Sequence, residues 1–221
     1  MKTPHVLLAL GFAMSAAQAA PAPSLDLALA YYSKVVTPEG VTREARYQER
    51  MLRRPGHVWS GRVLPALPAV AAAPGTHAEF NPVMLPRHVV MEHGKVRLEY
   101  VDQRQRELVA IPAAEYGNVS FDGSWENAWY LLDPKRVQAL PVTSRVSPVA
   151  GAQWREREKD GVYERVLWDD KRQVALRLES GDLAGTVVKR IDVTVLEGLS
   201  AKLPWQQLSG YTHKEYADFL D

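Results

Sequence analysis

Four short runs near the carboxyl end of the chain decide its fold: AQWRERE (152–158), VYERVLW (162–168), QVALRLE (173–179) and TVVKRIDVTV (186–195). Apolar and polar residues alternate over part of three of these runs, VYERVLW being the exception, and a period of two is that of a half-buried strand. The turns between the runs are short, and short turns can join only antiparallel neighbours. The four runs therefore predict an antiparallel meander.

The same period of two is found earlier in the chain. Residues 41–51 alternate, the Pro55-Gly56 dipeptide marks a turn, and residues 57–64 read as the return strand of a hairpin. Further strands are predicted at residues 88–91, 95–102 and 107–111. A sheet of this size must bury an apolar face. The fold class is therefore mainly β, with one long curved antiparallel sheet in the form of an incomplete barrel.

A helix is predicted at each end of this sheet. Ser24 can cap an N-terminal helix that runs to about Val35, with Leu25, Leu29 and Tyr32 on one face. Near the other end, Thr212-x-x-Glu215 has the pattern of a capping box and predicts a short C-terminal helix to Leu220. The aromatic stretch around residues 125–130 fits either a strand or a short helix.

The first nineteen residues are typical of a signal peptide. Residues 6–17 are an apolar run, and Ala17-Gln18-Ala19 has the small-x-small pattern of a cleavage site. The run is too short for a permanent membrane span. We therefore expect residues 1–19 to direct export and residues 20–221 to form a single periplasmic domain, in which the proline-rich segment 65–86 is an irregular loop.

Composition excludes several classes of function. The 27 basic and 26 acidic residues nearly cancel, which argues against a nucleic-acid partner. The chain contains no cysteine, so disulfides, thiolate metal sites and thiol catalysis are all absent. Hydrolase motifs such as G-x-S-x-G and H-E-x-x-H do not occur either. We expect a protein that is not an enzyme.

The meander also carries a resemblance to a known family. The stretch from Trp168 to Ser180 (WDDKRQVALRLES), followed by Gly185 to Val195 (GTVVKRIDVTV), resembles a pattern of the periplasmic lipoprotein-carrier and sigma-factor-regulator superfamily, the LolA/RseB-like proteins. The first hairpin, residues 40–64, is similar to their opening strands. The resemblance implies an incomplete barrel with an apolar cleft, and a binding or sensing protein whose ligand is a lipid, a lipoprotein or a protein segment. It implies no specific binding residue.

Large aromatic residues are the candidates for lining such a cleft, because a sheet that does not close leaves an apolar face able to hold a chain-like ligand. The same residue types fill ordinary cores, so a packed core remains the alternative. The candidates are Trp59, Trp125, Trp129, Tyr130, Trp154 and Trp168.

A second hypothesis rests on a cluster of methionine and histidine. Thioether and imidazole ligands suit copper, so a copper-handling or metalloprotein-assembly accessory is the alternative function. Methionine is also a common core residue and histidine a common turn residue, which is the simpler interpretation. The candidate ligands are His77, Met84, His88, Met91 and His93. The basic pair Arg53-Arg54 flanks a turn, and we expect both side chains to be solvated.

Overall fold

The computed structural model describes residues 22–64 and 80–219. The predicted signal peptide, candidate ligand His77 and most of the proline-rich segment lie outside the described residues. Of that segment, residues 80–86 are described, and residues 82–84 form a turn.

Eleven strands form one sheet, in the order β11-β6-β5-β4-β3-β2-β1-β10-β9-β8-β7. Every neighbouring pair is antiparallel except β11 and β6, which are parallel. In this order β7 and β11 are the two outermost strands, so the described sheet is open. The strands are β1 (Leu25–Val36), β2 (Thr42–Arg54), β3 (His57–Arg62), β4 (Arg87–Glu92), β5 (Lys95–Asp102), β6 (Glu107–Ile111), β7 (Ala152–Lys159), β8 (Val162–Asp169), β9 (Val174–Asp182), β10 (Val187–Val195) and β11 (Thr212–Glu215).

The predicted meander is confirmed as β7 to β10, each paired with the next. The hairpin of β2 and β3 and the strands β4 to β6 also form where the alternation predicts them. The mainly β fold class is therefore confirmed, with one large antiparallel-dominated sheet.

The predicted N-terminal helix is wrong, because Leu25–Val36 is the strand β1. It lies in the middle of the sheet, paired with β2 on one side and β10 on the other. Leu25 and Leu29 are four residues apart, a spacing that fits both a helical face and one face of a strand. Pairing with β10, some 160 residues later in the chain, decides between the two.

The predicted C-terminal helix is only partly correct. Thr212–Glu215 does not cap a helix but forms β11, which adds a parallel strand at the edge beside β6. A single turn of 3₁₀ helix follows at Tyr216–Phe219. The edge of β6 offers unpaired backbone groups, and satisfying them outweighs a local capping pattern.

The described helices are short, and most lie between β6 and β7. They are a 3₁₀ helix (Ala113–Val119), α1 (Trp125–Tyr130) and α2 (Pro134–Gln138). The side chain of Ser124 accepts a hydrogen bond from the backbone N–H of Asn127 and so caps α1. We call residues 113–140 the covering segment, because its apolar side chains pack on one face of the sheet.

The two faces of the sheet differ in what covers them. The inner face is the one on which Leu27, Leu98 and Val109 lie in the largest core cluster, beneath Val119, Trp129 and other side chains of the covering segment. The opposite, outer face carries a smaller cluster of Leu52, Trp59, Val101 and Leu108, which is packed by Trp205, Leu208 and Tyr211. Both faces of the central strands are therefore partly buried.

Candidate functional site

The inner face carries a groove made of three adjoining cavities. The first, about 320 Å³, lies over β8, β9 and β10. The second, about 210 Å³, lies over β1 to β5, and the third, about 440 Å³, lies beside the turn between β5 and β6. Ile191 of the first cavity and Tyr31 of the second are partners in the β1–β10 register. The second and third share Arg62 and Leu85.

The groove crosses the strands rather than following one of them. From β8 to β5 the sheet order contains seven spacings of about 4.8 Å, so the row of cavities spans roughly 34 Å measured along the sheet. Such a groove suits a long, thin ligand better than a compact one.

The first cavity has an apolar floor and a charged rim. Its floor is formed by Leu132, Val166, Leu178 and Ile191. At the rim, Arg136 of α2 pairs with Glu164 of β8 at 2.8 Å. Because 62% of the Arg136 side chain is exposed, this pair contributes little to stability.

The second cavity is polar and aromatic. The rings of Tyr31 and Tyr47 stack with centroids 4.4 Å apart, and the guanidinium of Arg62 lies 4.0 Å from the Tyr47 centroid. Arg87 is the register partner of Tyr100 on β5, and its side chain faces the same cavity. The second cavity therefore concentrates hydroxyl groups and guanidinium groups within one small volume.

The tyrosines of this cavity keep their protons. Burial raises the pKa of Tyr31, and the neighbouring Glu49 carboxylate raises it further. Burial also raises the pKa of Tyr47 and of Tyr100. All three phenols stay neutral near pH 7, so each can donate a hydrogen bond.

The third cavity is bounded mainly by apolar side chains. Phe80 makes edge contacts with Tyr100 and Tyr216, each with ring centroids 5.4 Å apart, and Phe219 lies 5.5 Å from it. Leu64, Leu85 and Val109 also line the cavity, while polar groups of the turn at residues 102–105 form its outer wall. This end of the groove can bury an apolar chain.

Arg53 holds the covering segment against the sheet. Its side chain is fully buried on the inner face, and it donates to the carbonyl oxygens of Pro23, Trp129, Arg172 and Gln173 at 2.7–3.1 Å. Burial lowers the pKa of Arg53 to about 10, so the guanidinium remains charged at neutral pH. Contrary to the expectation from sequence, neither Arg53 nor Arg54 is solvated, since Arg54 forms a buried ion pair with Asp26 at 2.7 Å.

The outer face carries a hydrogen-bonded chain of two histidines and a glutamate. His57 Nδ1 lies 3.0 Å from His88 Nε2, and His88 Nδ1 lies 2.7 Å from Glu99 Oε1. A carboxylate only accepts, so His88 donates from Nδ1, and in the tautomer whose Nε2 carries no proton that nitrogen accepts from His57 Nδ1. Arg97 contacts the other oxygen of Glu99, and the indole of Trp205 stacks on both histidines.

The predicted cleft aromatics are distributed over several clusters. Trp125, Trp129 and Tyr130 lie together on α1, over the inner face, and the rings of Trp125 and Trp129 are 5.4 Å apart. Trp168 packs beneath α2. Trp59 belongs to the outer face, and Trp154 packs with Ala152 and Leu167 in a separate small cluster. Most of these side chains fill cores, and none of the six borders the three cavities.

The described members of the predicted copper cluster do not converge. His88 and Met91 project to opposite faces of β4, because they are three residues apart on one strand. His93 lies in the turn that follows, exposed and at a φ of 50°, and Met84 lies beside the third cavity. Among residues 22–64 and 80–219, no group of three or more His, Asp or Glu side chains is arranged to hold a metal ion.

The sequence interpretation missed the residues that form the groove. Tyr31, Tyr47, Arg62, Arg87 and Tyr100 lie on five different strands. The alternation in the sequence places Tyr47 on one face of β2 and Tyr100 on one face of β5, and this is the only sequence signal for these groove residues. It could not show that the five side chains meet, because the strand order was unknown.

Comparison with known proteins gives distant likenesses. No protein-family model matches the chain, and neither does any curated protein. Among solved structures it is similar to PNGF-II, with 9% identity and a TM-score of 0.39 over 88% of this chain and 32% of that chain. It is also similar to the MucA/MucB complex of Pseudomonas aeruginosa, with 12% identity and a TM-score of 0.39 over 84% of this chain and 54% of that chain. A third similar structure is an outer membrane lipoprotein-sorting protein domain from Vibrio parahaemolyticus, with 11% identity and a TM-score of 0.31 over 80% of this chain and 87% of that chain.

The chain therefore spans about a third of the PNGF-II chain and about half of the MucA/MucB chain. The second and third structures are RseB-like and LolA-like, so the superfamily that the sequence resembles is found among the structures to which this chain is similar. At these identities and TM-scores the likenesses carry no information about a ligand. In the described part of the chain, no helix has the length and apolar character needed to cross a membrane.

Proposed function

We propose that the chain is a periplasmic binding protein that holds a chain-like hydrophobic ligand in the inner-face groove and does not convert it chemically. The observation that carries this proposal is the row of three adjoining cavities, of which the first and third have apolar walls. Concave apolar sites with a few convergent polar groups are the usual form of small-ligand sites. The predicted signal peptide supports a periplasmic location.

An acyl chain fits this groove better than a polypeptide. Each residue of a bound peptide would bring one backbone donor and one acceptor, and burying these without partners costs free energy. The floor of the first cavity offers the apolar side chains of Leu132, Val166 and Ile191. An acyl chain has no polar groups along its length, so it can lie on this floor without such a cost.

The proposal is tested by measuring whether the purified protein binds a neutral apolar probe, N-phenyl-naphthylamine, and whether lipid displaces it. Ser180 is exposed and lines the first cavity, so Ser180→Trp should fill that cavity without disturbing the core. We expect this variant to bind the probe several-fold more weakly. Thr194→Trp is the matched control, because Thr194 is exposed on the outer face of β10.

A second measurement is mass spectrometry of an organic extract of the protein purified from its native envelope. Lipid that copurifies with the protein and is lost in Ser180→Trp supports the proposal. If the probe does not bind and no lipid copurifies, the groove is not a lipid site. Displacement of the probe by an unfolded polypeptide but not by lipid would instead point to a protein segment as the ligand.

A further inference from the structure

We propose that the second cavity binds the anionic end of an acyl ligand, with Arg62 and Arg87 as the residues that hold a singly charged head group. The inference rests on the proposed function, since it assigns the two ends of the ligand in the same groove. The chemical class is an acyl chain that ends in a carboxylate or a phosphodiester.

The first support is that two guanidinium groups share one small cavity. Ser60 is the register partner of Arg87, and Arg62 lies two residues from Ser60 on the same face of β3. Arg62 and Arg87 are therefore diagonal neighbours, with backbones about 7–8 Å apart. Both guanidinium groups line the same small cavity, where like charges repel each other, and an anion in that cavity would offset the repulsion.

The second support is that these arginines have no ionic partner in the described part of the chain. The ion pairs formed there involve neither Arg62 nor Arg87. Arg62 lies over the ring of Tyr47, and Arg87 lies 5.9 Å from the ring centroid of Phe121. Stacking on aromatic rings leaves the edge of a guanidinium free to bind a carboxylate or a phosphate.

The third support is the composition of the cavity wall. The hydroxyls of Tyr47 and Ser60 can donate to an anion. The hydroxyl of Tyr100 already donates to the carbonyl of Val119, and that of Tyr31 lies beside the Glu49 carboxylate. Glu49 is the one carboxylate among the residues that line this cavity. Two guanidinium groups and one carboxylate leave a net charge of +1, which matches a head group with one negative charge better than one with two.

The position of the cavity gives the direction of the ligand. Because Arg62 and Leu85 border both the second and the third cavity, a head group at Arg62 places the start of its chain beside Leu85. The chain then continues along Phe80 and Phe219 in the larger apolar cavity. The first cavity, on the other side of Tyr31, can take a second chain.

The test compares ligands of one chain length that differ only in charge. Dodecanoate, dodecanol and acetate each compete with N-phenyl-naphthylamine at neutral pH. We expect dodecanoate to bind about tenfold more tightly than dodecanol, because charge-assisted hydrogen bonds are stronger than neutral ones. The double variant Arg62→Gln, Arg87→Gln should remove this preference, so that dodecanoate binds no more tightly than dodecanol. Arg46→Gln is the control, since Arg46 is exposed on the outer face of β2.

The outcomes separate the two proposals. If dodecanol and dodecanoate bind equally well to the unmodified protein, the anionic site is overturned while the groove remains a lipid site. If neither ligand displaces the probe, the proposed function itself fails. If acetate binds as tightly as dodecanoate, the cavity is a free-anion site and the chain contributes nothing, which also overturns the inference.

Discussion

Arginine side chains have different partners on the two faces of the sheet. On the outer face, six of the seven strand arginines pair with a carboxylate, and Arg50 is the exception: the six are Arg46, Arg54, Arg97, Arg165, Arg177 and Arg190. On the inner face Arg43 is exposed at the start of β2, and it pairs with none of the described carboxylates. The same is true of the other five arginines on that face: Arg53, Arg62, Arg87, Arg155 and Arg157. The same residue type therefore has a different partner on each side of the sheet.

Apart from Arg43, the inner-face arginines fall into two groups. Arg53 donates to backbone carbonyls, and so do Arg155, to Leu140 at 3.2 Å, and Arg157, to Ala139 at 2.9 Å. These bonds attach the covering segment to the sheet. Arg62 and Arg87 face the groove instead. Arginines bound to carbonyls attach the covering segment, whereas the two guanidinium groups that face the groove are available to a ligand.

The largest expected effect comes from removing Arg53. Arg53→Met leaves the carbonyls of Pro23, Trp129, Arg172 and Gln173 without their donor, and unsatisfied buried acceptors are costly. We expect the free energy of unfolding to fall by about 3 kcal/mol or more. Urea unfolding followed by tryptophan fluorescence measures this.

The control for Arg53 is Arg50→Met, because Arg50 is exposed on the outer face of the same strand. It should change stability by no more than about 0.5 kcal/mol. Arg53→Lys keeps a charge but cannot reach four carbonyls, so we expect it to be intermediate. Equal stability of the Arg53→Met and Arg50→Met proteins would show that the carbonyl contacts do not hold the covering segment.

A smaller effect is expected when the outer face is acidified. Burial, followed by the electrostatic influence of His88 and of Arg97, lowers the pKa of His57 below its usual value of 6.5. The unfolded chain then binds the proton more readily, so stability declines as pH falls through 6.5 and levels off below the folded pKa. Burial raises the pKa of Glu99, but its bonds with His88 and Arg97 outweigh burial and leave that pKa lowered. The stabilisation from Glu99 is lost as pH falls below 4.5 and through its folded pKa.

Urea unfolding between pH 7.5 and pH 4 checks this prediction. His57→Gln should flatten the decline near pH 6 while leaving the decline at lower pH in place. His213→Gln serves as the control, because His213 is exposed on β11. If His57→Gln and the unmodified protein lose stability in parallel throughout, the histidine pair is not the group that titrates.

Much of the sheet could be predicted because its signal is local. In β7, Ala152 and Trp154 alternate with Gln153 and Arg155, and a two-residue turn at Asp160-Gly161 follows the strand. The alternation and the turn lie within one short stretch of sequence, so that stretch predicts both the strand and its pairing with the next strand. By contrast, β1 was predicted as a helix because its partners β2 and β10 are not visible in its own residues.

The site could not be predicted for the same reason. Because Arg53 and Arg54 lie beside a turn, the sequence predicts that both are solvated. In the structure Arg53 donates a hydrogen bond to the carbonyl of Arg172, and Arg54 forms an ion pair with Asp26. Both contacts depend on which strands neighbour β2. The groove likewise needs Tyr31 of β1 to meet Ile191 of β10. Register between distant strands, rather than residue type, is the information that the sequence pattern lacks.

The smallest expected effect concerns the ion pairs of the outer face. Asp192 pairs with Arg177 at 2.5 Å and with Arg190 at 2.9 Å, and both arginines are more than a third exposed. Because exposed pairs are screened by solvent, Asp192→Asn should cost only about 1 kcal/mol, and less in high salt. Urea unfolding at low and high salt measures this, with Asp160→Asn in an exposed turn as the control. A loss as large as that of Arg53→Met, unaffected by salt, would mean that the outer face is held together as tightly as the inner one.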